Sequence, residues 1–483
     1  MPHDPQMPPD TAPVPKGRGW LRLLIAFVVA FEMAAFFQWA DGAFQSEFGG
    51  HPDEAAHYLT GQGARDSAAA STPAAHAGAG SRVFDLALGG WMHAFGKSRI
   101  AAMLFITVIA AATATLIFGA VRRESGDWAA AVASLLWLGA PAVRGSYETI
   151  LPEQLGAFIL TGTALLWTRR MDDGSPRRIA AARWIGAAAM LGIGCLLASG
   201  TMIALKITPG DPRAAWSFLK ECVSVPGIAV AVFAVTGIVL GARGGVVWAA
   251  MAALVAGVLF AQWMKAGVAD VRVLIVATPA LAMLAARGAV ALAGITGSHT
   301  ATAGGKSRRR ALWIFLLLLL ALPPDLLSPW QKDWRGFGPA ADALIAESGG
   351  TAHVLVVSDP LGEGMLLSEI AMRDGARQIT VERGSETLAD PEAAVPHGTG
   401  QRFHEDEQLF AHLTSGRIRY IVLDSVVPGG SRAAYHEQVR RVLEGNVRSF
   451  WPICDSPLVR NGEPQGHPLR IFRVMQSPGA ELQ

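Results

Sequence analysis

Charged residues are scarce in this sequence. Asp, Glu, Lys and Arg make up 17% of its 483 residues, whereas soluble domains carry about 25%. Hydrophobic residues reach 51%, and several apolar runs approach the roughly 20 residues that cross a bilayer. These features exclude an ordinary soluble protein and predict a polytopic α-helical membrane protein.

Cysteine is also rare. Cys195, Cys222 and Cys454 form no CxxC motif and are too few for a disulfide framework. A cleavable signal pattern is lacking too, because the first apolar run is long and is flanked by Lys16 and Arg18. We therefore expect that run to be retained as a membrane span. No internal repeat is evident.

The apolar runs predict about nine membrane spans. They cover residues 20–40, 100–120, 128–143, 155–167, 179–203, 225–240, 246–264, 273–293 and 312–322. Residues 1–17 are rich in proline and polar residues, which predicts a disordered cytoplasmic tail. The transmembrane domain is then expected at 18–325, with a first outer loop at 41–99.

Basic residues occur in every second connection. They lie in the N-terminal segment and at 122–123, 169–178, 243 and 306–310. Because Lys and Arg are retained on the cytoplasmic side, the N-terminus is predicted inside and the first loop outside. Nine spans in the cytoplasmic (inner) membrane then place the C-terminal residues outside, in the periplasm of a Gram-negative cell.

After Pro323 and Pro324 the composition changes to that of a soluble domain. Buried strands are predicted at 353–358 and 419–423, an antiparallel pair at 450–454 and 469–474, and helices at 362–373, 406–415 and 431–443. Strands that alternate with helices indicate an extracytoplasmic α/β domain over residues 326–483.

The first outer loop contains a cluster of ionisable side chains. The stretch HPDEAAHY begins at His51 and includes Asp53, Glu54, His57 and Tyr58. Pro52 suits the first turn of a helix, where the helix dipole favours ionised carboxylates. A carboxylate there can act as general base toward an acceptor hydroxyl, although an exposed Asp-Glu pair in a loop is more commonly only solvated.

The same stretch allows a metal interpretation. His51, Asp53 and His57 offer the nitrogen and oxygen ligands of a divalent cation, but DEAAH has Asp where the zinc motif HExxH has its first His, and no third ligand is identifiable. DEAAH is not a helicase box either, since no nucleotide-binding partner motif accompanies it. No nucleic-acid partner is expected. Residues 90–98 have five residues between their glycines where a phosphate loop requires four.

Further charged residues lie at predicted outer ends of spans. Glu153 opens span four, shortly after Glu148. An acid at a membrane boundary is costly unless solvated or paired, and a helix N-terminus also favours one. Arg272 opens span eight from the outside, against the positive-inside trend. It could pair with Asp270 or bind a lipid phosphate, which a guanidinium does well, and Lys265 could assist.

A Gly-rich turn lies in the C-terminal domain. Ser358-Asp-Pro-Leu-Gly-Glu-Gly364 follows a predicted strand and precedes a predicted helix. Such a turn can bind an anion. It lacks the GxGxxG spacing, which favours a tight strand–helix turn, and Glu363 is the residue in it that we single out.

These motifs together resemble the GT-C superfamily of membrane glycosyltransferases. More narrowly, they are similar to the bacterial protein O-mannosyltransferase and aminoarabinose-transferase group, which is glycosyltransferase family 39-like. Asp53-Glu54 follows span one, Glu153 opens span four, and Arg272 opens a late span that contains Pro279. Residues 89–104 are similar to the family's approach to span two. The resemblance covers roughly residues 20–295.

The resemblance implies an enzyme of the cell envelope. It would transfer a hexosyl or pentosyl group from a polyprenyl-phosphate donor to a protein, lipid or glycan acceptor on the outer face of the membrane. Asp53 would be the base, and Arg272 would stabilise the departing phosphate. The implied catalytic residues are Asp53, Glu54 and Glu153, and the implied substrate-binding residues are His57, Tyr58, Arg272 and Lys265. The resemblance implies no cofactor, and a divalent cation at the weak candidates His51 and His57 stays open.

Two other classes stay open. Relatives usually carry a Pro-Pro-Leu/Phe-Tyr stretch before span two, whereas here that region is an Ala-rich tract followed by Val83-Phe-Asp-Leu86. This difference leaves a non-catalytic membrane anchor or binding protein of an envelope glycan assembly as an alternative. A transporter of lipid-linked sugars would show mid-membrane charges and repeated halves, but Glu32 is the only clear intramembrane acid.

Overall fold

The structure is a computed structural model that describes much of the helical part and of the C-terminal part. The described residues are 19–40, 79–96, 98–140, 143–144, 146–150, 152–172, 228–241, 255, 273–295, 312–313, 334–349, 351–374, 378–389, 401–425, 434–460, 463–464 and 468–475.

The described residues before 296 form helices. These are α1 (Gly19–Ala40), α2 (Ala79–Phe95), α3 (Arg99–Ser125), α4 (Asp127–Leu138), α5 (Glu153–Asp172), α6 (Ile228–Gly241) and α7 (Val273–Ile295), with a 3-10 turn at Ser146–Glu148. Predicted spans one, two, three, four, six and eight correspond to α1 and α3 to α7. Predicted spans five, seven and nine lie outside the described residues, apart from residues 255, 312 and 313.

Three of the described helices, α1, α3 and α7, are long and apolar enough to cross a membrane. The helix α4 is also apolar but shorter. At its first turn, α3 is capped by Ser98, whose hydroxyl oxygen accepts a hydrogen bond from the backbone N–H of Ala101 at 3.1 Å. It ends at Gly126, which has φ 88°. The positive φ of Gly126 lets the chain turn back directly into α4.

The helix α3 is the centre of the bundle. It packs against α1, α4, α5 and α7, and its side chains from Ala101 to Val121 are largely buried. Indole N–H groups add cross-helix bonds, because Trp137 donates to the carbonyl of Ala110 at 3.1 Å and Trp91 to that of Ala101 at 2.7 Å. The helices α6 and α7 approach each other closely at Gly237 and Gly288.

Ion pairs mark one end of the bundle, which we call the basic end. Arg122 lies 2.6 Å and Arg22 3.5 Å from the Asp127 carboxylate, and Arg287 lies 3.0 Å from Glu124. The helices α1 and α4 therefore begin at this end and α3 ends there. Because the turns of α7 before Arg287 are buried in the bundle, α7 runs toward the basic end.

The opposite end, which we call the polar end, is defined by contacts of Gln38, near the end of α1. Its side chain bonds to the backbone of Met103 and of Tyr147. Gln154, at the start of α5, bonds to Ser146 one residue before Tyr147. Thus α3, α5 and α7 run from the polar to the basic end, and α1 and α4 run the other way. This alternation agrees with the order of the predicted spans.

The C-terminal residues form a five-stranded mixed sheet. Its strands are β2 (Ala352–Val357), β3 (Ile379–Arg383), β4 (Tyr420–Asp424), β5 (Phe450–Ser456) and β8 (Leu469–Val474), in the order β3-β2-β4-β8-β5. The strands β3, β2 and β4 are parallel, and β8 pairs antiparallel with β4 and β5. A smaller sheet joins β1 (Trp334–Arg335), β6 (Val459–Arg460) and β7 (Glu463–Pro464).

Helices cover both faces of the five-stranded sheet. One buried cluster contains side chains of α8 (Phe337–Ser348) and α9 (Pro360–Arg373), and the other contains side chains of α11 (Asp406–Leu413) and α12 (Ala434–Gly445). The short helix α10 is Gly384–Thr387. The predicted strands, the antiparallel pair and the three predicted helices are confirmed. The strand β3 and the helix α8 were not predicted. The sequence of β3, ITVER, contains two charged residues in five and therefore did not resemble a buried strand.

The α/β region contacts the polar end of the bundle. The guanidinium of Arg99, at the start of α3, lies 3.8 Å from the carboxylate of Glu369 in α9. Ala371 and Met372, also in α9, pack against the apolar core of the bundle. One helix of the α/β region therefore rests on the end of the bundle at which α1 finishes and α5 begins.

Candidate functional site

Polar side chains gather at the polar end of the bundle, where they are buried or half-buried. We call this group the polar cluster, and it consists of Gln38, Thr107, Arg144, Ser146, Tyr147, Glu153 and Gln154. The cluster joins α1, α3, α5 and the 3-10 turn. A polar group without a hydrogen-bond partner in an apolar bundle costs free energy, so the partners of these side chains show which of them are structural.

Gln38 is fully satisfied in this cluster. Its Nε2 donates to the carbonyls of Met103 at 3.2 Å and Tyr147 at 3.3 Å. Its Oε1 accepts from the hydroxyl of Thr107, whose single hydrogen is shared with the Met103 carbonyl oxygen at 3.1 Å. The Tyr147 hydroxyl donates to the carbonyl of Leu138 at 3.2 Å. These bonds lock the end of α1 to α3 and to the 3-10 turn, so the role of Gln38 is structural.

Arg144 is a buried cation at the polar end. Only 6% of the residue is exposed, and its guanidinium carbon lies 5.6 Å from the centroid of the Phe37 ring, which is a cation–π distance. Arg144 was not predicted as a site residue, because it lies in the short link between predicted spans three and four. The signal that could have found it is the one used for Arg272, namely an arginine on the predicted outer side against the positive-inside trend.

Glu153 occupies the position that the sequence predicts. It is the first residue of α5 and is half-buried, and the helix dipole favours its ionised form there. The next residue, Gln154, is 1% exposed and donates from Nε2 to the Ser146 hydroxyl oxygen at 2.5 Å. Ser146 in turn donates to the carbonyl of Val143 at 2.6 Å. Glu153 is thus followed in sequence by a residue that is held in an ordered chain of hydrogen bonds.

The other predicted site residues lie outside the described residues. They are His51, Asp53, Glu54, His57, Tyr58, Lys265 and Arg272. Their roles, including the metal interpretation for His51 and His57, stay predictions. Within the described part of the chain, no group of three or more His, Cys, Asp or Glu side chains could hold a metal ion.

A second polar network lies in the α/β region, at the carboxyl ends of the parallel strands. Glu363 accepts hydrogen bonds from the Ser385 N–H at 2.9 Å and from Arg383 Nε at 3.3 Å. Desolvation by burial raises the pKa of Glu363 to about 7, although Arg383 and Ser385 oppose the shift. This carboxyl therefore changes its charge near neutral pH.

The same network holds the turn between β2 and α9. Asp359 caps α9 by accepting from the Gly362 N–H at 2.7 Å, and the Ser358 hydroxyl donates to Asp424 at 2.7 Å. The His436 ring nitrogen Nε2 lies 2.8 Å from the Ser358 carbonyl oxygen. These internal bonds make the segment the tight strand–helix turn that the sequence predicts.

No protein-family model matches the chain, and no curated protein matches it. The chain is similar to the mycobacterial arabinofuranosyltransferase AftD, determined by cryo-EM, with a TM-score of 0.47 and 16% identity over 95% of this chain and 42% of AftD. The chain thus spans about two fifths of the length of AftD.

Proposed function

We propose that this chain is an integral membrane glycosyltransferase that moves a sugar from a polyprenyl-phosphate donor to an acceptor hydroxyl on the outer face of the cytoplasmic membrane. The proposal is supported by the end of the bundle at which three segments of the chain meet. The chain leaves α1, enters α5 and enters α7 at the same end of the bundle, the polar end. The loop after α1 carries Asp53, α5 opens on Glu153, and Arg272 directly precedes α7 in the sequence.

The proposed chemistry is an inverting displacement at the anomeric carbon of the sugar. Asp53 removes the proton of the acceptor hydroxyl as that oxygen attacks. The bond between the anomeric carbon and the phosphate oxygen breaks, and the polyprenyl phosphate leaves with the electron pair. Arg272 offsets the negative charge that develops on the phosphate. Glu54, Glu153, His57, Tyr58 and Lys265 position the substrates.

The helix α1 suits a lipid-linked donor. Its outward side chains are large and apolar, including Val28, Val29 and Phe36, which are about half exposed. A surface of this kind is solvated by acyl or prenyl chains rather than by water. A donor whose tail lies in the bilayer would therefore bring its phosphate and sugar to the end of the bundle.

A transfer assay tests the proposal. Membranes that contain the protein receive labelled polyprenyl-phosphate mannose or polyprenyl-phosphate arabinofuranose, and wild type is compared with Asp53→Asn and Asp127→Asn. We expect Asp53→Asn to lose transfer by at least about 100-fold, and Asp127→Asn, the same change in a largely exposed residue at the basic end, to retain it.

Two outcomes contradict the proposal in different ways. Full transfer by Asp53→Asn would overturn the assignment of the base while leaving a transferase. The absence of transfer by wild type with either donor would overturn the enzyme, and the chain would then be a membrane anchor or binding protein of an envelope assembly.

A further inference from the structure

The orientation of the Gln154 amide is fixed by its neighbour. The hydroxyl of Ser146 has a single hydrogen, which it donates to the carbonyl of Val143 at 2.6 Å. The Ser146 oxygen must therefore accept from the group 2.5 Å away, and in an amide only the nitrogen donates. Nε2 of Gln154 therefore faces Ser146, and the carbonyl oxygen Oε1 faces away from Ser146.

That carbonyl oxygen has no hydrogen-bond partner in the structure, as far as the chain is described. Gln154 is 1% exposed, so bulk water does not solvate the atom. A buried acceptor without a donor costs free energy, and such groups are uncommon in native proteins, where a bound ligand, a buried water or a role in a reaction accounts for them.

The contrast with Gln38 shows that the fold can satisfy a buried amide at this end of the bundle. Both polar atoms of Gln38 are bonded, Nε2 to two backbone carbonyls and Oε1 to the hydroxyl of Thr107. Gln154 belongs to the same polar cluster and is equally buried. Its Nε2 is bonded to Ser146, whereas its Oε1 has no partner in the described part of the chain.

We propose that Gln154 is a specificity residue whose Oε1 accepts a hydrogen bond from a hydroxyl of the donor sugar. This inference rests on the proposed function. A carbonyl oxygen requires a hydrogen-bond donor, which neither an ionised phosphate nor a prenyl tail supplies, whereas every sugar carries several hydroxyls. Glu153, which the sequence predicts at the site, is the preceding residue of α5 and is half-buried, so Gln154 lies at the same end of the same helix. Because the site excludes water, a missing hydroxyl is strongly discriminated there.

The test compares the labelled polyprenyl-phosphate sugar that wild type uses with a set of its monodeoxy analogues. With wild type, we expect one deoxy donor to lose roughly 10- to 100-fold in kcat/KM. Gln154→Met has a similar volume and no acceptor, so it should lose a similar factor with the complete sugar. It should no longer distinguish that deoxy donor from the complete one.

Two further variants separate this role from a structural one. Ser146→Ala removes the group that orients the amide, so discrimination against the deoxy donor should fall while transfer persists. Thr113→Val is a control in the bundle core, because the Thr113 hydroxyl bonds only to the carbonyl of Ile109 in its own helix, and it should discriminate as wild type does. Without donor, Gln154→Met should unfold near the wild-type temperature, because it removes an unsatisfied acceptor together with a single bond to Ser146. Gln38→Met removes three bonds and should unfold at a lower temperature.

The assignment is overturned if Gln154→Met discriminates between the donors as wild type does. It is equally overturned if Gln154→Met unfolds at a lower temperature with unchanged kcat/KM, which would make the amide structural. In both cases an active wild type leaves the proposed function standing. A wild type that transfers neither mannose nor arabinofuranose overturns the proposed function, and this assignment with it.

Discussion

Arg99 and Glu369 lie 3.8 Å apart and connect the first residue of α3 to the buried face of α9. The Glu369 side chain is fully buried and also pairs with Arg373, one helical turn further along α9. The pair joins the α/β region to the end of the bundle that carries Glu153.

Removing Arg99 should loosen this junction. In Arg99→Leu, Glu369 keeps Arg373 but loses its charged contact with the bundle, which should weaken the junction by roughly 1–3 kcal/mol. Hydrogen exchange of the α9 backbone amides should then accelerate. Arg122→Leu, which breaks a pair at the basic end, should leave α9 exchange unchanged. Equal α9 exchange in Arg99→Leu and wild type would show that the pair does not hold the two parts together.

The stability of the α/β region should depend on pH through Glu363. The pKa of Glu363 is raised from 4.5 to about 7 in the fold, so its stabilising effect is complete below about pH 4.5 and is lost as the pH rises through about 7. The shift corresponds to roughly 3 kcal/mol between these limits. Scanning calorimetry of the full chain should therefore show a lower unfolding temperature for this region at pH 8 than at pH 5.

Glu363→Gln should remove most of that pH dependence, because the amide does not ionise. Glu386→Gln is the matched control, since Glu386 pairs with the same Arg383 but is partly exposed. Its pH profile should follow wild type. A Glu363→Gln protein with the wild-type slope between pH 5 and pH 8 would assign the dependence to another group.

Glu153 should be required for transfer, whereas a similar acid at the other end of the bundle should not. Glu153→Gln keeps the shape of the side chain and removes its charge, so kcat should fall by about 100-fold or more at an unchanged protein level. Glu124→Gln makes the same change in a partly exposed ion pair at the basic end and should retain transfer. Equal activity of the two variants in the membrane assay would remove Glu153 from the site.

The close packing of α6 on α7 should tolerate no side chain at Gly288. A Cβ added there would overlap the carbonyl oxygen of Phe233, so Gly288→Ala should destabilise the bundle by about 1–3 kcal/mol. At Gly162 an added Cβ would lie 3.5 Å from Leu116 Cδ1, an ordinary contact. Thermal unfolding in detergent should therefore show a lower midpoint for Gly288→Ala only. Equal midpoints for the two variants would show that α6 and α7 can move apart without a loss of stability.

Part of the architecture could be predicted from the sequence because it depends on local patterns. Apolar runs of span length predicted α1, α3 and α7, and Glu153 was expected at the start of a helix, where the structure has it. The run RYIVL predicted β4, since its residues are apolar and bounded by polar ones. In contrast, β3 contains Glu382 and Arg383, whose charges are satisfied by partners distant in sequence. Its sequence alone therefore did not predict a strand.

Composition and the spacing of apolar and basic residues by themselves determined that this chain is a helical membrane protein followed by an α/β region. They did so because the bilayer and the helix repeat act on consecutive residues. Only the tertiary structure decided which polar side chains meet. Gln38 reaches Tyr147 across 109 positions of sequence, and Gln154 presents a carbonyl oxygen because Ser146 occupies its nitrogen. Such contacts depend on how helices pack in space, which no local pattern encodes.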